Sequence, residues 1–191
     1  MDPAELDGAL AFLRGAERLK TLSRSAWTSA GEPESVAEHT WRLCLMAMVF
    51  YGRAEGVDLA RLLKMCLIHD LGEAVGGDIP APAQHGAPAK ADGERTDLLT
   101  LIAPLPADTR EEITALWDEY EAAVSPEARV AKGLDKLETI LQHTQGANPA
   151  DFDYAFNLAY GRRFTAADPL LVALRSRLDE DTARRAKAGG A

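Results

Sequence analysis

Apolar residues recur at helical spacing along most of the chain. Leu6, Leu10 and Leu13 follow Asp2-Pro3, a pair typical of a helix start. The same period continues in later segments. It predicts a first helix that ends near residue 20, followed by helices over 35–53, 59–75 and 94–102. Two more helices begin at Asp108 and at Ser125-Pro126, and the last two run over 151–163 and 169–184. No segment shows strand-type alternation, so the pattern predicts one all-α domain.

Helix-start signals and loop composition refine this picture. Ser35-Val36-Ala37-Glu38 fits a capping box, and Asp108 with Glu111 resembles another cap. Residues 78–92 are rich in Pro, Ala and Gly and predict a surface loop. The small residues 186–191 predict a disordered tail. We therefore expect a single helical domain over 1–185, built from roughly seven to nine helices.

Composition excludes some partners. The 191 residues include 47% hydrophobic side chains, enough for a substantial core, and 30 acidic against 21 basic residues give a formal charge of -9. This charge argues against nucleic-acid polymers and anionic membranes as partners. No apolar run reaches membrane-spanning length, and the acidic Met1–Glu5 start is unlike a signal peptide. We expect a soluble, cytoplasmic protein.

The two cysteines agree with that expectation. Cys44 and Cys66 both lie inside apolar helical runs. Sparse cysteines of this kind suit a reducing compartment and act as small hydrophobic residues. A disulfide between them is the alternative.

Candidate chemistry centres on His69-Asp70, at the end of an apolar run that begins at Leu62. An imidazole and a carboxylate on an apolar helix face are costly to bury unless something satisfies them. A divalent cation would satisfy both. For a single pair, a helix-end histidine hydrogen-bonded to its neighbours is an equally reasonable interpretation.

Two further residues bear on the choice. His39 lies on another predicted helix and shares a face with Leu43, Met46 and Phe50; taken alone, such a histidine is more often a core residue than a ligand. Asp135 lies off its helix's apolar stripe, which by itself indicates a solvated acid. Its own face, however, carries the small residues Ala128, Ala131 and Thr139, which could line a cavity. Two imidazoles and two carboxylates suit Mn, Co, Fe, Ni or Zn, with Mg possible.

The order His39…His69-Asp70…Asp135 resembles the H…HD…D signature of HD-domain metal-dependent phosphohydrolases, an all-helical superfamily. Four local motifs are similar to its 5′-deoxynucleotidase branch: Glu34-Ser35-Val36-Ala37-Glu38-His39, His69-Asp70-x-x-Glu73, Gly77-Asp78-Ile79-Pro80 and Lys132-x-x-Asp135. The resemblance covers residues 6–178. It implies a single HD-domain helical bundle.

The resemblance also implies residue roles. His39, His69, Asp70 and Asp135 would ligate one divalent metal, and Glu73 would position or deprotonate the attacking water. Asp78 would assist near the leaving group or the sugar, and a second ion could lie near Glu73 and Asp78. The substrate-binding residues would be Arg24 on the 5′-phosphate, with Trp27, Asp78 and Lys132. A homodimer is implied as well.

Simpler interpretations stay open. Glu73 and Asp78 could be a helix-end acid and a loop cap, and Arg24 could be a solvated charge. Some bacterial members carry an aromatic residue directly after this arginine, whereas this chain has Ser25, with Trp27 following. Substrate discrimination is therefore a weaker inference than the metal site. His85 and His143 fit no ligand spacing and are interpreted as surface residues.

Three functional hypotheses follow from these residues. The leading one is metal-dependent hydrolysis of deoxynucleoside 5′-monophosphates to deoxynucleoside and phosphate. The second keeps the metal but acts on a ribonucleotide, a cyclic nucleotide or another small phosphate ester. The third is a non-catalytic, nucleotide-binding regulatory protein. The presence of Glu73 and Asp78 beside the ligand set argues against the third hypothesis.

Overall fold

The computed structural model describes residues 2–79, 87–166 and 168–189. Helices dominate this part of the chain, which confirms the all-α prediction. Seven of the α-helices are ten residues or longer and three are short segments of four or five residues, and a 3-10 helix over Glu17–Lys20 follows the first of them. In chain order they are α1 (Pro3–Ala16), α2 (Val36–Tyr51), α3 (Leu59–Ile68), α4 (Glu73–Gly76), α5 (Ala87–Ile102), α6 (Ala107–Ala122), α7 (Pro126–Gln145), α8 (Ala155–Ala159), α9 (Arg162–Thr165) and α10 (Pro169–Gly189).

Helix α7 forms the centre of the bundle. It packs against α2, α3, α6, α9 and α10. Leu134, Leu137 and Ile140 of α7 are fully buried. Because its neighbours cover nearly all sides, polar residues of α7 are also buried, including the acids Asp135 and Glu138. The central helix therefore carries charged groups into the interior.

Three predicted helix starts are confirmed, and the cap predicted at Asp108 is wrong. At α1 the Asp2 carboxylate accepts from the Glu5 amide at 2.8 Å. At α2 the Ser35 hydroxyl accepts from the Glu38 amide at 3.2 Å, and Glu38 Oε2 accepts from the Ser35 amide at 2.7 Å. At α7 the Ser125 hydroxyl accepts from the Ala128 amide. Helix α6, however, begins before Asp108, whose carboxylate accepts from the adjacent Thr109 amide.

A short hairpin corrects the expectation that the chain has no strands. Strands β1 (Ser23–Trp27) and β2 (Pro33–Ser35) pair antiparallel, with Ser23 opposite Ser35. Gly31 lies in the connecting turn with a φ of 85°, a conformation that favours glycine. The five residues of β1 lack clean apolar alternation, so pairing with β2 rather than local pattern makes this segment extended.

The helix predicted over residues 59–75 is broken in the middle. Helix α3 ends at Ile68, and a turn over residues 69–72 leads into α4. In this turn the Leu71 and Glu73 amides donate to carbonyls three residues earlier, those of Ile68 and Asp70. The turn moves His69 and Asp70 out of the regular helix. The apolar run alone gave no sign of this break.

Other boundaries also differ from the prediction. Helix α5 begins at Ala87, inside the segment predicted as a loop, and residues 80–86 lie outside the described part of the chain. The helix predicted over 151–163 is divided into α8 and α9 by Gly161, which has a φ of 66°. Helix α10 continues to Gly189, past the point where a disordered tail was predicted.

The cysteines and the surface give two further results. Cys44 and Cys66 are free thiols, so the disulfide alternative is wrong. Burial raises the pKa of the Cys66 thiol. Within residues 2–79, 87–166 and 168–189, no helix combines the length and apolar character needed to cross a membrane.

Candidate metal centre and substrate cavity

His39 lies in the first turn of α2 and is completely buried. Its Nδ1 is hydrogen-bonded to Glu138 Oε2 of α7. Glu138 is held in turn by Arg42, whose Nε donates to Oε1 at 2.6 Å. Burial works to raise the pKa of Glu138, but His39 and Arg42 outweigh it and keep this pKa below its ordinary value. An ionised Glu138 accepts a hydrogen bond from Nδ1–H, which leaves the Nε2 lone pair of His39 free to bind a metal.

His69 is held by the turn after α3. Its Nδ1 lies 2.8 Å from the Cys66 carbonyl oxygen. A carbonyl can only accept, so Nδ1 carries the proton and Nε2 keeps its lone pair. Trp117 of α6 donates from Nε1 to the His69 carbonyl at 3.1 Å, which ties the turn to the neighbouring helix. In both histidines Nε2 is thus the ring atom that is available to bind a metal ion.

The two carboxylates complete a compact group. Asp70 Oδ2 lies 3.0 Å from His69 Nε2 and 3.9 Å from His39 Nε2. Asp135 Oδ1 lies 3.4 Å from His39 Nε2. His39, His69 and Asp70 each offer one potential metal-binding atom, and these three atoms lie within 4.8 Å of one another. The structure therefore brings together residues from α2, α7 and the turn after α3 that are far apart in the sequence.

The second oxygen of Asp135 is held from outside this group. The Tyr120 hydroxyl of α6 donates to Oδ2 at 2.9 Å, and Lys136 Nζ lies 2.8 Å from the same oxygen. Burial works to raise the pKa of Asp135, but Lys136 and the two histidines outweigh it and hold this pKa well below its ordinary value. Asp135 is thus buried as a carboxylate, which explains why a residue off the apolar stripe is not solvated.

The donor set fits a divalent metal ion. The Nε2 atoms of His39 and His69 are buried and have no hydrogen-bond partner. Buried polar atoms are rarely left in this state, and a cation between the imidazoles and the carboxylates would satisfy them. Glu34, His39 and Glu138 form a second close group. There, however, Arg24 and Arg42 already approach the carboxylates, at 3.5 Å and 2.6 Å. We therefore interpret the second group as support for His39.

Glu73 begins α4 and faces the same region. Its Oε2 is buried without a hydrogen-bond partner. Burial, together with the negative charges of Asp70 and Asp78, raises the pKa of Glu73 to about 10. Among the described residues, the negative charges around the Glu73 carboxyl outweigh the positive ones. A metal ion would supply the missing positive charge. Asp78 follows α4 and lies on the same cavity.

Arg24 of β1 reaches across this site. Its Nη1 lies 3.4 Å from Asp70 Oδ2, and its Nη2 donates to the Thr139 hydroxyl at 3.1 Å. Asp70 and Glu138 oppose the effect of burial and raise the pKa of Arg24 above its ordinary value. The guanidinium is a fixed positive charge beside the metal donors, and its fork geometry suits a phosphate oxygen pair.

A cavity of about 880 Å³ opens over these groups. Its wall includes every site residue predicted from the sequence except the fully buried His39. Trp27 lies on this wall, with its ring centroid 6.1 Å from that of Phe152. Lys132 pairs with Glu121 at 2.8 Å and lies over the Tyr120 ring. Such a volume is in the range of small-molecule sites.

Several residues of this site were not predicted as functional. Tyr120 was counted only as an apolar residue of its helix, and Lys136 and Glu138 were not singled out. Lys136 and Glu138 have a sequence signal, because Lys136 adjoins Asp135 and Glu138 lies three positions after Asp135. His143 was predicted to be at the surface but is buried. Asn157 of α8 accepts from its Nδ1 at 2.7 Å, and Phe152 packs against its ring. His85 lies outside the described residues.

Comparison with known proteins identifies the family. The sequence profile of the HD domain matches residues 16–172. The chain belongs to the HD domain family. This result confirms the resemblance inferred from the His39…His69-Asp70…Asp135 order.

Individual HD domain relatives cover most of the chain. It is 34% identical over 192 residues to the 5′-deoxynucleotidase HDDC2 of Danio rerio, covering 97% of this chain and 93% of the relative. It is 37% identical over 141 residues to the 5′-deoxynucleotidase HDDC2 of Mus musculus, covering 72% and 69%. A crystal structure of a predicted metal-dependent phosphohydrolase from Magnetospirillum magnetotacticum MS-1 superposes with a TM-score of 0.79 at 30% identity, covering 96% and 97%.

Proposed function

We propose that this chain is a metal-dependent 5′-deoxynucleotidase that converts deoxynucleoside 5′-monophosphates into deoxynucleosides and phosphate. The observation that carries the proposal is the pair of unpartnered Nε2 atoms, on His39 and His69, that converge with two carboxylates beside the Arg24 guanidinium. The activity named for the relatives in Danio rerio and Mus musculus supports the same reaction.

The metal ligands in this proposal are His39, His69, Asp70 and Asp135. The ion would supply charge neutralisation at the phosphoryl oxygens and make water easier to deprotonate. Mn, Co, Fe, Ni and Zn all suit this mixed nitrogen and oxygen set. Glu138 holds Nδ1 of His39, and Tyr120 and Lys136 hold Oδ2 of Asp135. These contacts fix the orientation of His39 Nε2 and Asp135 Oδ1, the atoms that would bind the metal.

The remaining acids handle protons. Glu73 Oε2 accepts the proton of the attacking water as the new oxygen–phosphorus bond forms. The bond between phosphorus and the 5′-oxygen breaks, and the 5′-oxygen takes up a proton from a water molecule on the Asp78 side of the cavity. Glu73 returns the proton that it accepted to solvent, which balances the step. Because monoester hydrolysis is extremely slow without a catalyst, a positioned nucleophile and local positive charge are what the reaction requires. A second ion held near Glu73 and Asp78 would give a metal content above one per chain.

Substrate contacts follow the wall of the cavity. Arg24 binds the 5′-phosphate through two nitrogens, Nη1 and Nη2. Asp78 contacts the sugar and helps to exclude a 2′-hydroxyl, since discrimination requires a wall or an unpaired group near that position. Trp27 and Lys132 extend the contact surface on either side.

Phosphate release from a nucleotide panel tests the proposal. Metal-stripped protein is supplied with Mn, Co, Mg or Zn and given deoxyribonucleotides and ribonucleotides in parallel. We expect release from deoxynucleoside 5′-monophosphates only after metal is restored. Preferential release from AMP or a cyclic nucleotide would instead favour the second hypothesis. Absence of release from every substrate would favour a regulatory role.

Loss of a ligand tests the metal assignment separately. His69→Ala should remove bound metal and activity together, because it deletes one donor and leaves two carboxylates facing each other without compensation. Metal analysis of the purified variant is the measurement. Full metal content in this variant would contradict the assignment.

We also propose that the chain forms a homodimer. The outer face of α2 carries a stripe of exposed apolar residues, Trp41, Leu45, Met48 and Val49. Such a stripe is unusual on a monomer's surface and is typical of association surfaces. Light scattering should give twice the chain mass, and Val49→Glu should reduce it to the monomer value. A monomeric wild-type protein would contradict this proposal.

A further inference from the structure

His143 is a buried polar residue that the proposed mechanism does not use. It lies on the wall of the substrate cavity, in the last turns of α7. Its ring packs edge-on against Phe152, with centroids 4.8 Å apart, and Phe152 packs in turn against Trp27. The three rings form an aromatic cluster, and Trp27 lies on the same strand as Arg24.

The proton position on His143 is determined by its neighbours. Nδ1 lies 2.7 Å from Asn157 Oδ1, while the amide nitrogen of Asn157 donates to the Thr182 hydroxyl of α10. Because Asn157 uses its oxygen toward His143, Nδ1 carries the proton and Nε2 is a hydrogen-bond acceptor. Burial, together with the nearby Arg24 charge, lowers the pKa of His143, so the ring is neutral. Nε2 is the atom that this ring can offer to a ligand.

Spacing along α7 indicates what the ligand group is. Asp135, Thr139 and His143 follow one another at intervals of four residues, roughly 6 Å of helix each. Asp135 belongs to the group of proposed metal ligands, and Thr139 accepts a hydrogen bond from Arg24, the proposed phosphate-binding residue. One further interval leads from the phosphate position to His143. The path from phosphorus through O5′, C5′, C4′ and C3′ to the 3′-oxygen spans a comparable length.

We propose that His143 Nε2 accepts a hydrogen bond from the 3′-hydroxyl of the deoxyribose, with Trp27 and Phe152 forming the apolar wall around the sugar. This inference rests on the proposed 5′-deoxynucleotidase function and adds a specificity-determining contact to it. The contact does not involve the base, so it should raise kcat/KM equally for all four deoxynucleotides. A substrate without a 3′-hydroxyl leaves the acceptor unpaired.

Three substrates separate this contact from the alternatives. They are dAMP, 2′,3′-dideoxy-AMP, which lacks the 3′-hydroxyl, and 2-deoxyribose 5-phosphate, which lacks the base. In His143→Phe an aromatic ring still packs at this position, but the Nε2 acceptor is lost. We expect kcat/KM to fall roughly 10-fold for dAMP and for 2-deoxyribose 5-phosphate, and to change less than about 2-fold for the dideoxy substrate. His143→Gln, whose amide oxygen can still accept, should recover part of the loss.

Other patterns would overturn the proposal. An equal loss for all three substrates would assign His143 a purely structural role between α7 and α8. A loss for dAMP alone would indicate a base contact, and no loss would exclude a substrate contact. Metal content and circular dichroism verify the fold of each variant, and the smaller His143→Leu replaces His143→Phe if the latter does not fold.

Failure of the His143 contact can be distinguished from failure of the proposed function. Wild-type phosphate release from dAMP reports on the 5′-deoxynucleotidase activity. If wild type releases none, calorimetric Kd values for dAMP and 2′,3′-dideoxy-AMP on the same metal-loaded variants provide the same comparison. Equal affinities of wild type for the two ligands would overturn the His143 contact in either case.

Discussion

Glu73 combines burial, an unpartnered oxygen and two acidic neighbours. Its pKa of about 10 follows from burial and from the charges of Asp70 and Asp78. A structural acid gains nothing from such surroundings, whereas a base that works beside a bound cation has its charge restored when the cation is present. The environment of Glu73 therefore distinguishes it from the helix-end acids elsewhere on the surface.

We expect Glu73→Gln to keep its metal and to lose turnover. The amide preserves size and cannot accept the water proton, and general-base assistance is worth about 10²–10⁴-fold in rate. Phosphate release and metal content are measured on the same sample. Near-normal turnover would make Glu73 a helix-end acid, and loss of metal would make it a ligand.

Arg24 should act on every 5′-monophosphate alike. A guanidinium on the phosphate senses neither the base nor the 2′ position, so Arg24→Ala should lower kcat/KM by a similar factor, about 10-fold or more, for all deoxynucleotides. Arg95→Ala is the matched control, because Arg95 pairs with Asp118 at 2.7 Å on the exposed surface. If Arg24→Ala selectively improved AMP hydrolysis, the arginine would belong to sugar discrimination instead.

Among the elements, the turn between α3 and α4 depends on its contact with α5. A Cβ atom added at Gly72 would lie 2.6 Å from the Glu94 carbonyl oxygen and 3.2 Å from the Leu98 amide nitrogen. Both are backbone atoms of α5, so a side-chain rotation cannot relieve the clash. The close approach positions the turn that presents His69 and Asp70.

Gly72→Ala should therefore destabilise the protein by about 1–3 kcal/mol and weaken metal binding. The matched control is Gly93→Ala on α5, where an added Cβ meets nothing within 4 Å. That change should stabilise the helix by up to about 1 kcal/mol. Urea unfolding of both variants gives the comparison. Equal stability of the two variants would show that α5 does not hold the turn.

At the scale of the whole molecule, the acidic site makes stability depend on pH. Burial and Glu138 raise the pKa of Glu34 to about 7, and the pKa of Glu73 is about 10, against an ordinary 4.5 for both. A carboxyl that binds its proton more tightly in the folded state contributes stability below its unfolded pKa. This contribution is lost as the pH rises through the folded pKa.

The metal-free protein should thus lose stability as the pH rises from about 5 to about 10. Thermal unfolding of metal-stripped wild type over this range should show the decline, and Glu73→Gln should reduce it, because the amide does not titrate. Restoring the metal should also reduce it, since a cation favours ionised Glu73. A stripped wild type and a stripped Glu73→Gln with parallel pH profiles would contradict the assigned pKa of Glu73.

Local sequence determined the elements and the order of the candidate ligands. The apolar period predicted the long helices, and Ser35 with Glu38 predicted the start of α2, because periodicity and caps are properties of neighbouring residues. The order of His39, His69-Asp70 and Asp135 indicated the HD domain family for the same reason. These inferences need no knowledge of how the helices pack.

Tertiary structure alone decided which polar residues are buried and where the chain leaves its helices. Asp135 lies off its apolar stripe, and only the convergence of Tyr120, Lys136 and His39 makes its burial favourable. The turn after α3 depends on the approach of α5 to Gly72, and β1 exists through pairing with β2. His143 is buried against Phe152 and beside Asn157 of α8. In each case the deciding partner is distant in sequence, so its contribution enters only when the helices pack together.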